Sequence, residues 1–261
     1  MLVNGRKQKK MKHPIYRKLQ AIRAKRTYED LYVKDVKNKS YIRVGNNSDG
    51  GYVMLNDFKG IDGVLSFGVG ENITWEEDIA DTGAIVEMYD PTVDNITLNK
   101  DNLFFYKIGV GKEQNISKRI DTLENILNTN HFKKSKDMIL KMDIEGAEWE
   151  VLPNLSDDTL NRFRQIVFEL HGMTRISPFF QKKVHASLNN LNKTHQLVHV
   201  HANNCGMHVK INDDVRFPFF LEATYVRKSD YTFINNEREF PTSNDYVNIE
   251  NIAEINLGKW H

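Results

Sequence analysis

The chain has 261 residues, a net charge of +1, 40% hydrophobic residues and 27% charged residues. This length suits one large α/β domain or at most two small ones, and the composition is that of a soluble globular protein. No apolar run approaches the ~18 residues that cross a bilayer, and the N-terminus lacks the apolar core of a secretory signal. Cys205 is the single cysteine, which excludes intramolecular disulfides and multi-cysteine metal sites. We therefore expect a cytoplasmic protein without a membrane span.

The charge is distributed unevenly along the chain. Residues 1–26 contain ten Lys or Arg and no Asp or Glu, so the remainder carries 26 basic against 35 acidic residues, a net charge of −9. We expect residues 1–40 to form a basic arm or helices ahead of a single domain at 41–261. The arm is predicted to be solvated or to lie as a helix on the acidic body. Contact with nucleic acid, an anionic membrane surface or a phosphorylated substrate is the alternative.

Apolar strand-like runs and amphipathic helix-like segments alternate after the arm. The predicted strands are 64–70 with a closing glycine turn, 84–89, 103–110, 138–144, 165–170, 196–200 and 219–226. The predicted helices are 74–81, 121–127 and one that opens at Ser177. Thr74 and Asp121 are expected to be N-caps, because a Glu follows each of them three residues later. Such alternation predicts an α/β fold with a mostly parallel sheet and helices on both faces.

Polar residues and glycines follow the predicted strands, where ligands bind in open α/β sheets. Gly68-Val69-Gly70 closes the first strand, and Asp90 closes the second, twenty residues after Gly70. Glycines let the backbone approach a ligand, and a carboxylate after the second strand can accept hydrogen bonds from ribose hydroxyls. Together they predict a cofactor that contains a nucleoside.

The same loop distinguishes two cofactors. A dinucleotide fingerprint needs a third glycine, and that position is Ile73. Glu71 is a poor neighbour for a pyrophosphate but suits a cationic cofactor. These features favour S-adenosylmethionine over NAD.

Several motifs resemble those of the FkbM-type S-adenosylmethionine-dependent methyltransferases and follow one another in the same order along the chain. The resemblance covers residues 41–227, and its most specific part is L-K-M-D-I-E-G-A-E-W-E-V-L at 140–152. The other motifs are D-G-G-Y-V-M at 49–54, S-F-G-V-G at 66–70, Y-D-P-T at 89–92, F-E-L-H at 168–171 and H-V-H-A-N-N at 199–204. The resemblance implies the class I methyltransferase fold, which is Rossmann-like with a seven-stranded sheet. Ser66 departs from the family, which has an acid at that position.

The resemblance also implies that Gly68, Gly70 and Asp90 hold the cofactor and that Ile108 and Gly109 border the adenine. The complete candidate cofactor site is Gly68, Val69, Gly70, Glu71, Asp90, Pro91, Ile108, Gly109 and Asp143.

Acids and one histidine converge after the fourth and fifth predicted strands. Several acids in one cleft require a cation among them, namely the sulfonium, an imidazolium or a divalent metal. In the favoured mechanism His171 is the general base, oriented by Glu169 or Asp143. In the alternative, Asp143, Glu169 and His171 bind Mg²⁺, which would hold the acceptor oxygen. Glu148 is expected only to charge the first turn of the next helix.

Candidate acceptor-binding residues are Glu145 and the polar end of the sixth predicted strand, His199, His201 and Asn203. The alternative for the two histidines and the asparagine is that they only fix a loop.

We therefore predict an O-methyltransferase that acts on a sugar, a glycan precursor or a related polar metabolite; the sugar preference comes from the resemblance. The expected partner is a small-molecule or glycan acceptor rather than nucleic acid, and a homo-oligomer is left open. The alternatives are an NAD-dependent oxidoreductase, a nucleic-acid methyltransferase that uses the arm, and a non-catalytic module that binds S-adenosylmethionine.

Overall fold

The structure is a computed structural model, and it describes residues 14–129, 131–212 and 215–260. The strands in chain order are β1 Lys34–Val36, β2 Tyr41–Val44, β3 Tyr52–Leu55, β4 Gly63–Phe67, β5 Val86–Tyr89, β6 Leu103–Tyr106, β7 Gly109–Val110, β8 Ile120–Asp121, β9 Met138–Met142, β10 Phe163–His171, β11 His195–Ala202, β12 His208–Lys210, β13 Arg216–Pro218, β14 Phe220–Arg227, β15 Phe233–Asn235, β16 Glu239–Phe240 and β17 Gly258–Lys259. The α-helices are α1 Pro14–Glu29, α2 Thr74–Ala80, α3 Leu123–Thr129, α4 Glu148–Val151, α5 Asp157–Leu160 and α6 Pro178–Thr194.

Seven strands form the central sheet in the order β11-β14-β10-β9-β4-β5-β6. Only β14 runs antiparallel to its neighbours, β10 and β11. The predicted α/β fold with a seven-stranded, mostly parallel sheet is confirmed. From the centre, the chain continues from β4 towards β5 and from β9 towards β10. The connections therefore diverge where β4 and β9 end, and this divergence opens a crevice.

Both faces of the sheet are covered. Val64 and Ile139 belong to one buried cluster, whereas their chain neighbours Leu65 and Leu140 belong to the other. Alternate residues of a strand point to opposite faces, so these strands separate two hydrophobic cores. This explains why the central strands have apolar runs instead of an alternating pattern.

Two predicted N-caps and one predicted strand are wrong. Thr74 is the first residue of α2, and its backbone N–H is accepted by the Asn72 side chain. Asp121 lies in β8, and Thr122 accepts the N–H of Asn125 instead. The predicted strand 103–110 is divided into β6 and β7, because β7 leaves the central sheet to pair with β8.

The N-terminal basic segment is described from Pro14 onward. Helix α1 lies against the body, where Thr27 donates to the Gln181 side chain at 3.1 Å and Tyr28 packs edge-on to Trp260. The arm residues Arg6, Lys7, Lys9, Lys10 and Lys12 lie outside the described residues. The boundary at residue 40 stays a prediction. In the described ranges, no helix is both long and apolar enough to cross a membrane.

Candidate active site

The glycine turn after β4 brings the ends of the two central strands together. Gly68 has a φ of +77°, and a Cβ at this position would lie 1.5 Å from the Asp143 carbonyl oxygen. The two strand ends are joined by the Asp143 N–H, which donates to the Phe67 carbonyl at 3.0 Å. Only glycine combines this backbone conformation with so close an approach.

A cavity of about 460 Å³ opens beside this turn, a volume in the usual range for small-molecule sites. Its lining includes the predicted cofactor residues Gly68, Val69, Gly70, Glu71, Asp90, Pro91, Gly109 and Asp143, together with Glu145. Ile108 is not in this lining and packs against the larger hydrophobic core. The cavity also contains residues that the sequence analysis did not assign to it, among them Phe67, Asn72, Tyr89, Thr92, Val110, Ile120, Lys141, Ile144 and Ala147.

Asp90 braces the glycine turn. One carboxylate oxygen accepts the Gly70 N–H at 3.0 Å, and the other accepts the backbone N–H and the hydroxyl of Thr92 at 2.8 and 2.6 Å. Burial alone would raise the pKa of Asp90, but the hydrogen bonds from Thr92 and Gly70 hold it below its ordinary value. Asp90 is therefore an anion, and each oxygen keeps lone pairs for a further donor such as a hydroxyl.

Aromatic rings form an apolar wall of the cavity. Tyr89 stacks on Phe67 with ring centroids 5.0 Å apart and on Tyr106 at 5.1 Å. Val110 and Ile120 extend this surface. A wall of this kind, next to a carboxylate that can grip a ribose, fits an adenosyl group.

Lys141 brings a buried cation to the floor of the cavity. Its ammonium lies 3.1 Å from the Glu76 carboxylate, and both side chains are almost completely buried. The same Glu76 oxygen accepts the Ser66 hydroxyl at 2.5 Å. Ser66 stands where the resembling family has an acid, so Glu76 of α2 supplies a carboxylate beside that position.

His171 lies at the centre of the acid cluster. Its Nε2 atom is 3.0 Å from Glu169, 3.5 Å from Glu145 and 3.7 Å from Asp143. The structure thus brings together the three predicted catalytic residues, His171, Asp143 and Glu169, and places Glu145 beside them. Glu145 has a φ of +57°, a left-handed conformation that costs ~1–2 kcal/mol and directs this exposed carboxylate towards the cluster.

Both ring nitrogens of His171 face oxygen acceptors. Nδ1 lies 3.1 Å from the buried Glu148 carboxylate and 3.0 Å from the Glu169 carbonyl, while Nε2 faces the Glu169 carboxylate. An imidazole donates from both nitrogens only when it is protonated. Burial alone would lower the pKa of His171, but Glu148 and Glu169 outweigh it and raise the pKa to about 11. The cation among the acids is therefore the imidazolium of His171.

The pKa of Asp143 is also raised, but for a carboxyl group this favours the neutral form. Burial and the neighbouring Glu169 carboxylate raise the pKa of Asp143 to about 7. Tyr52, from the D-G-G-Y-V motif, donates its hydroxyl to Asp143 at 3.1 Å. Asp143 lines the cavity and exposes about a quarter of its side chain. It is thus a carboxylate poised near neutral pH at the ligand site.

Asparagine side chains connect the acid cluster to the mouth of the cavity. Asn203 donates to Glu169 at 2.7 Å and to Asp49 at 3.2 Å. Asn248 donates to the same Asp49 oxygen at 3.1 Å. Asp49 lines the cavity, whereas Asn203 does not. Asn203 therefore contributes by holding the Asp49 side chain in place.

His199 and His201 lie away from the cavity and are almost completely buried. His199 contacts Asp245 at 2.9 Å, and His201 contacts Glu222 at 2.9 Å and Glu254 at 3.3 Å. Each histidine joins the end of β11 to the C-terminal segment. This arrangement favours the alternative in which they fix a loop, and their role in binding the acceptor stays a prediction.

One group of side chains in the described ranges has spacing that could hold a metal ion. One ligand atom from each of Asp143, Glu145 and His171 lies within 4.8 Å of the others. Glu145 replaces Glu169 in the predicted metal set. In the protonated form that Glu148 and Glu169 favour, the His171 ring has no free lone pair for an ion.

Sequence reasoning missed Lys141 and gave Glu148 too small a role. Glu148 accepts the backbone N–H of Gly146 at 2.8 Å and that of His171 at 2.7 Å, besides facing the imidazole. The expectation that Glu148 only charges a helix turn is therefore incomplete. A signal was available, because both residues lie inside the specific L-K-M-D-I-E-G-A-E-W motif.

The fold and the cavity define the chain as a Rossmann-like α/β protein with a small-molecule-sized cavity at the switch point of its sheet. Residues 112–193 match the family model described as the methyltransferase FkbM domain. The chain is similar to "Probable methyltransferase-like protein 24" of Homo sapiens and of Rattus norvegicus, with 32% identity over 119 residues in each case. Each match covers 41% of this chain and 32% of the relative, so the chain spans about a third of the length of these curated relatives.

These matches support a relationship between the chain and the FkbM-type methyltransferases.

Proposed function

We propose that the protein is an S-adenosylmethionine-dependent O-methyltransferase. The observation that carries the proposal is the cavity in which the Gly68–Gly70 turn, the Asp90 carboxylate and the Tyr89 wall meet the acid cluster. Asp90 would bind the ribose hydroxyls, and the aromatic and aliphatic wall would contact the adenine. The bound cofactor supplies an activated methyl group, so the protein's main tasks are alignment and the exclusion of water.

A hydroxyl acceptor needs a group that takes its proton. The first hypothesis assigned this role to His171, but an imidazolium that already donates from both nitrogens has no free lone pair. We propose instead that Asp143 accepts the proton, since it lines the cavity and its pKa is about 7. His171 then acts as a fixed cation that holds Glu169 and Asp143 in place.

The acceptor is proposed to be a sugar, a glycan precursor or a related polar metabolite. The support is a set of carboxylates, Asp143 and Glu145 in the cavity lining and Glu169 next to His171, which can accept hydrogen bonds from neighbouring hydroxyls. Glu145 is mostly exposed, with 88% of its side chain accessible, and can adapt to an incoming acceptor.

Calorimetry with the full chain tests the cofactor. We expect S-adenosylhomocysteine to bind and NADH not to bind, because Ile73 replaces the third glycine of the dinucleotide fingerprint. Tighter binding of NADH would instead support an NAD-dependent oxidoreductase.

Methyl transfer to a panel of polar acceptors tests the reaction. Cofactor binding without turnover on any acceptor would favour a non-catalytic binding module. Loss of turnover in chelator, with recovery on added Mg²⁺, would favour the metal mechanism. Turnover that is indifferent to chelator agrees with proton transfer to Asp143.

A further inference from the structure

Helix α1 turns an apolar stripe towards solvent. Ile15, Leu19 and Ile22 expose 65%, 43% and 55% of their surface. Their spacing of four and three residues places them on one side of the helix. We call these three residues the α1 stripe.

The side of α1 that faces the body combines two polar residues, Gln20 and Thr27, with Ala24 and Tyr28 of the hydrophobic core. Gln20, Ala24, Thr27 and Tyr28 are its buried residues. Gln20 donates to the Thr174 carbonyl at 3.3 Å, and the hydroxyl of Thr27 contacts Gln181. A surface helix usually turns its apolar side only to the core, whereas α1 also turns three aliphatic residues to solvent. Because polar contacts fix the inner side, the α1 stripe is held facing outward.

Basic side chains border the α1 stripe. At 3.6 residues per turn, Lys18 and Lys25 lie along one edge, Arg23 lies along the other, and Arg26 continues the stripe. None of these four cations forms a salt bridge with an acid in the ranges 14–129, 131–212 and 215–260. The first acid in the sequence is Glu29, the last residue of α1, so residues 1–28 carry only basic charges.

We infer that α1 docks this protein on an anionic lipid surface. Aliphatic side chains bordered by Lys and Arg are the pattern of a helix that lies in the membrane interface, with its apolar side among the acyl chains and its cations at the headgroups. The body after residue 26 carries a net charge of −9, so an anionic surface attracts α1 and repels the rest of the chain. Nucleic acid would use the cations but would leave the three aliphatic side chains in water.

Vesicle flotation with the full chain tests this inference. Vesicles of phosphatidylcholine alone are compared with vesicles of equimolar phosphatidylcholine and phosphatidylserine. The first variant combines Ile15→Gln, Leu19→Gln and Ile22→Gln, which keeps good helix formers on an exposed surface. Its matched control combines Ile116→Gln, Ile234→Gln and Ile252→Gln, three exposed isoleucines elsewhere on the body.

A charge variant with Lys18→Glu, Arg23→Glu and Lys25→Glu tests the electrostatic half of the inference. We expect the wild type and the matched control to float with the anionic vesicles only. The stripe variant should lose at least about tenfold in partitioning, and the charge variant about fivefold for each basic charge removed. All variants should bind S-adenosylhomocysteine as the wild type does, which separates this test from that of the proposed function and confirms folding.

Equal flotation of the wild type and the stripe variant would overturn the inference. Equal binding of the wild type to vesicles with and without phosphatidylserine would also overturn it. Sedimentation velocity tests whether the α1 stripe is instead covered by a second copy of the chain. A wild-type dimer that the stripe variant converts to a monomer, without vesicle binding, would assign the stripe to self-association. Binding to duplex DNA that is unchanged in the stripe variant, again without vesicle binding, would assign the cations to nucleic acid.

Discussion

The charge of His171 can be tested without knowing the methyl acceptor. Glu148 is fully buried and faces Nδ1 of the imidazole at 3.1 Å. Glu148→Gln removes the negative charge and keeps the shape of the side chain. Because the carboxylate of Glu148 is a main reason for the protonation of His171, this single change should release the proton at a lower pH.

The size of the effect follows from the structure. With a pKa of about 11, only about one molecule in a thousand has a neutral His171 at pH 8. An opposite charge within a few ångströms shifts a pKa by ~1–3 units, so the variant should titrate with a pKa of ~8–10. Glu169 still contacts Nε2 at 3.0 Å, so the pKa should stay above the ordinary value.

Nuclear magnetic resonance of labelled imidazoles measures this directly. Between about pH 6 and pH 10, the wild-type His171 signal should not titrate, whereas the Glu148→Gln signal should move through a transition. Glu150→Gln is the matched control, because Glu150 lies on the same helix and pairs with Lys183. A wild-type His171 that titrates near pH 6.5 would refute the imidazolium and restore His171 as the proposed base.

The same shift predicts the sign of a stability change. The pKa of His171 is raised in the folded state, so its contribution to stability is fully present below an unfolded pKa of ~6.5. That contribution is lost as the pH rises towards 11. The free energy of unfolding of Glu148→Gln should therefore depend less on pH above neutrality than that of the wild type, as urea titrations would measure.

Three further substitutions probe the cavity. Gly68→Ala places a Cβ 1.5 Å from the Asp143 carbonyl oxygen at a φ of +77°. Calorimetry should therefore show no cofactor binding, and the variant should melt at a lower temperature than the wild type. An unchanged melting temperature would contradict the close approach. Asp90→Ala should weaken cofactor binding by about tenfold or more while unfolding stays cooperative, and undiminished affinity would remove Asp90 from the site. Glu76→Gln leaves the Lys141 ammonium buried without its partner. The free energy of unfolding measured in urea should therefore fall by about 3–5 kcal/mol. Adding Lys141→Met to this variant should restore much of that free energy. A double variant as unstable as the single one would show that the two charges are not coupled.

The sheet could be predicted because its strands have a strong local signal. The runs at 64–70 and 138–144 are apolar on both faces, and glycines or acids end them abruptly. Since parallel strands end at one edge, the residues after them had to meet, and Gly68, Asp90, Asp143 and His171 do lie together there. The caps of α2 and α3 were missed because neighbouring polar side chains, Asn72 and Thr122, accept an N–H at the start of these helices.

The histidines after β11 show what local pattern cannot supply. His199 and His201 were expected near an acceptor because polar residues at a strand end often bind ligands. Their actual neighbours, Asp245 and Glu254, come from a C-terminal segment whose position depends on long-range packing. Glu222 completes the environment of His201 and raises its pKa to about 10, although burial alone would lower it. Buried charges of this kind are balanced in three dimensions, and no spacing rule along the chain reveals the partner.

Charge balance also limits what the acid cluster requires. Acids that converge in one cleft need a compensating cation, and a metal ion was one candidate. His171 already provides that cation through contacts with Glu148 and Glu169 on opposite sides of its ring. Lys141, which also lines the cavity, is paired with Glu76. The pKa of Asp143 is raised by its burial and by the Glu169 carboxylate, and the cations Lys141 and His171 only partly offset these effects. A carboxylate in that position can take a proton from a neutral hydroxyl without first displacing an ion, so proton transfer to Asp143 needs no group beyond those that the chain itself brings to the site.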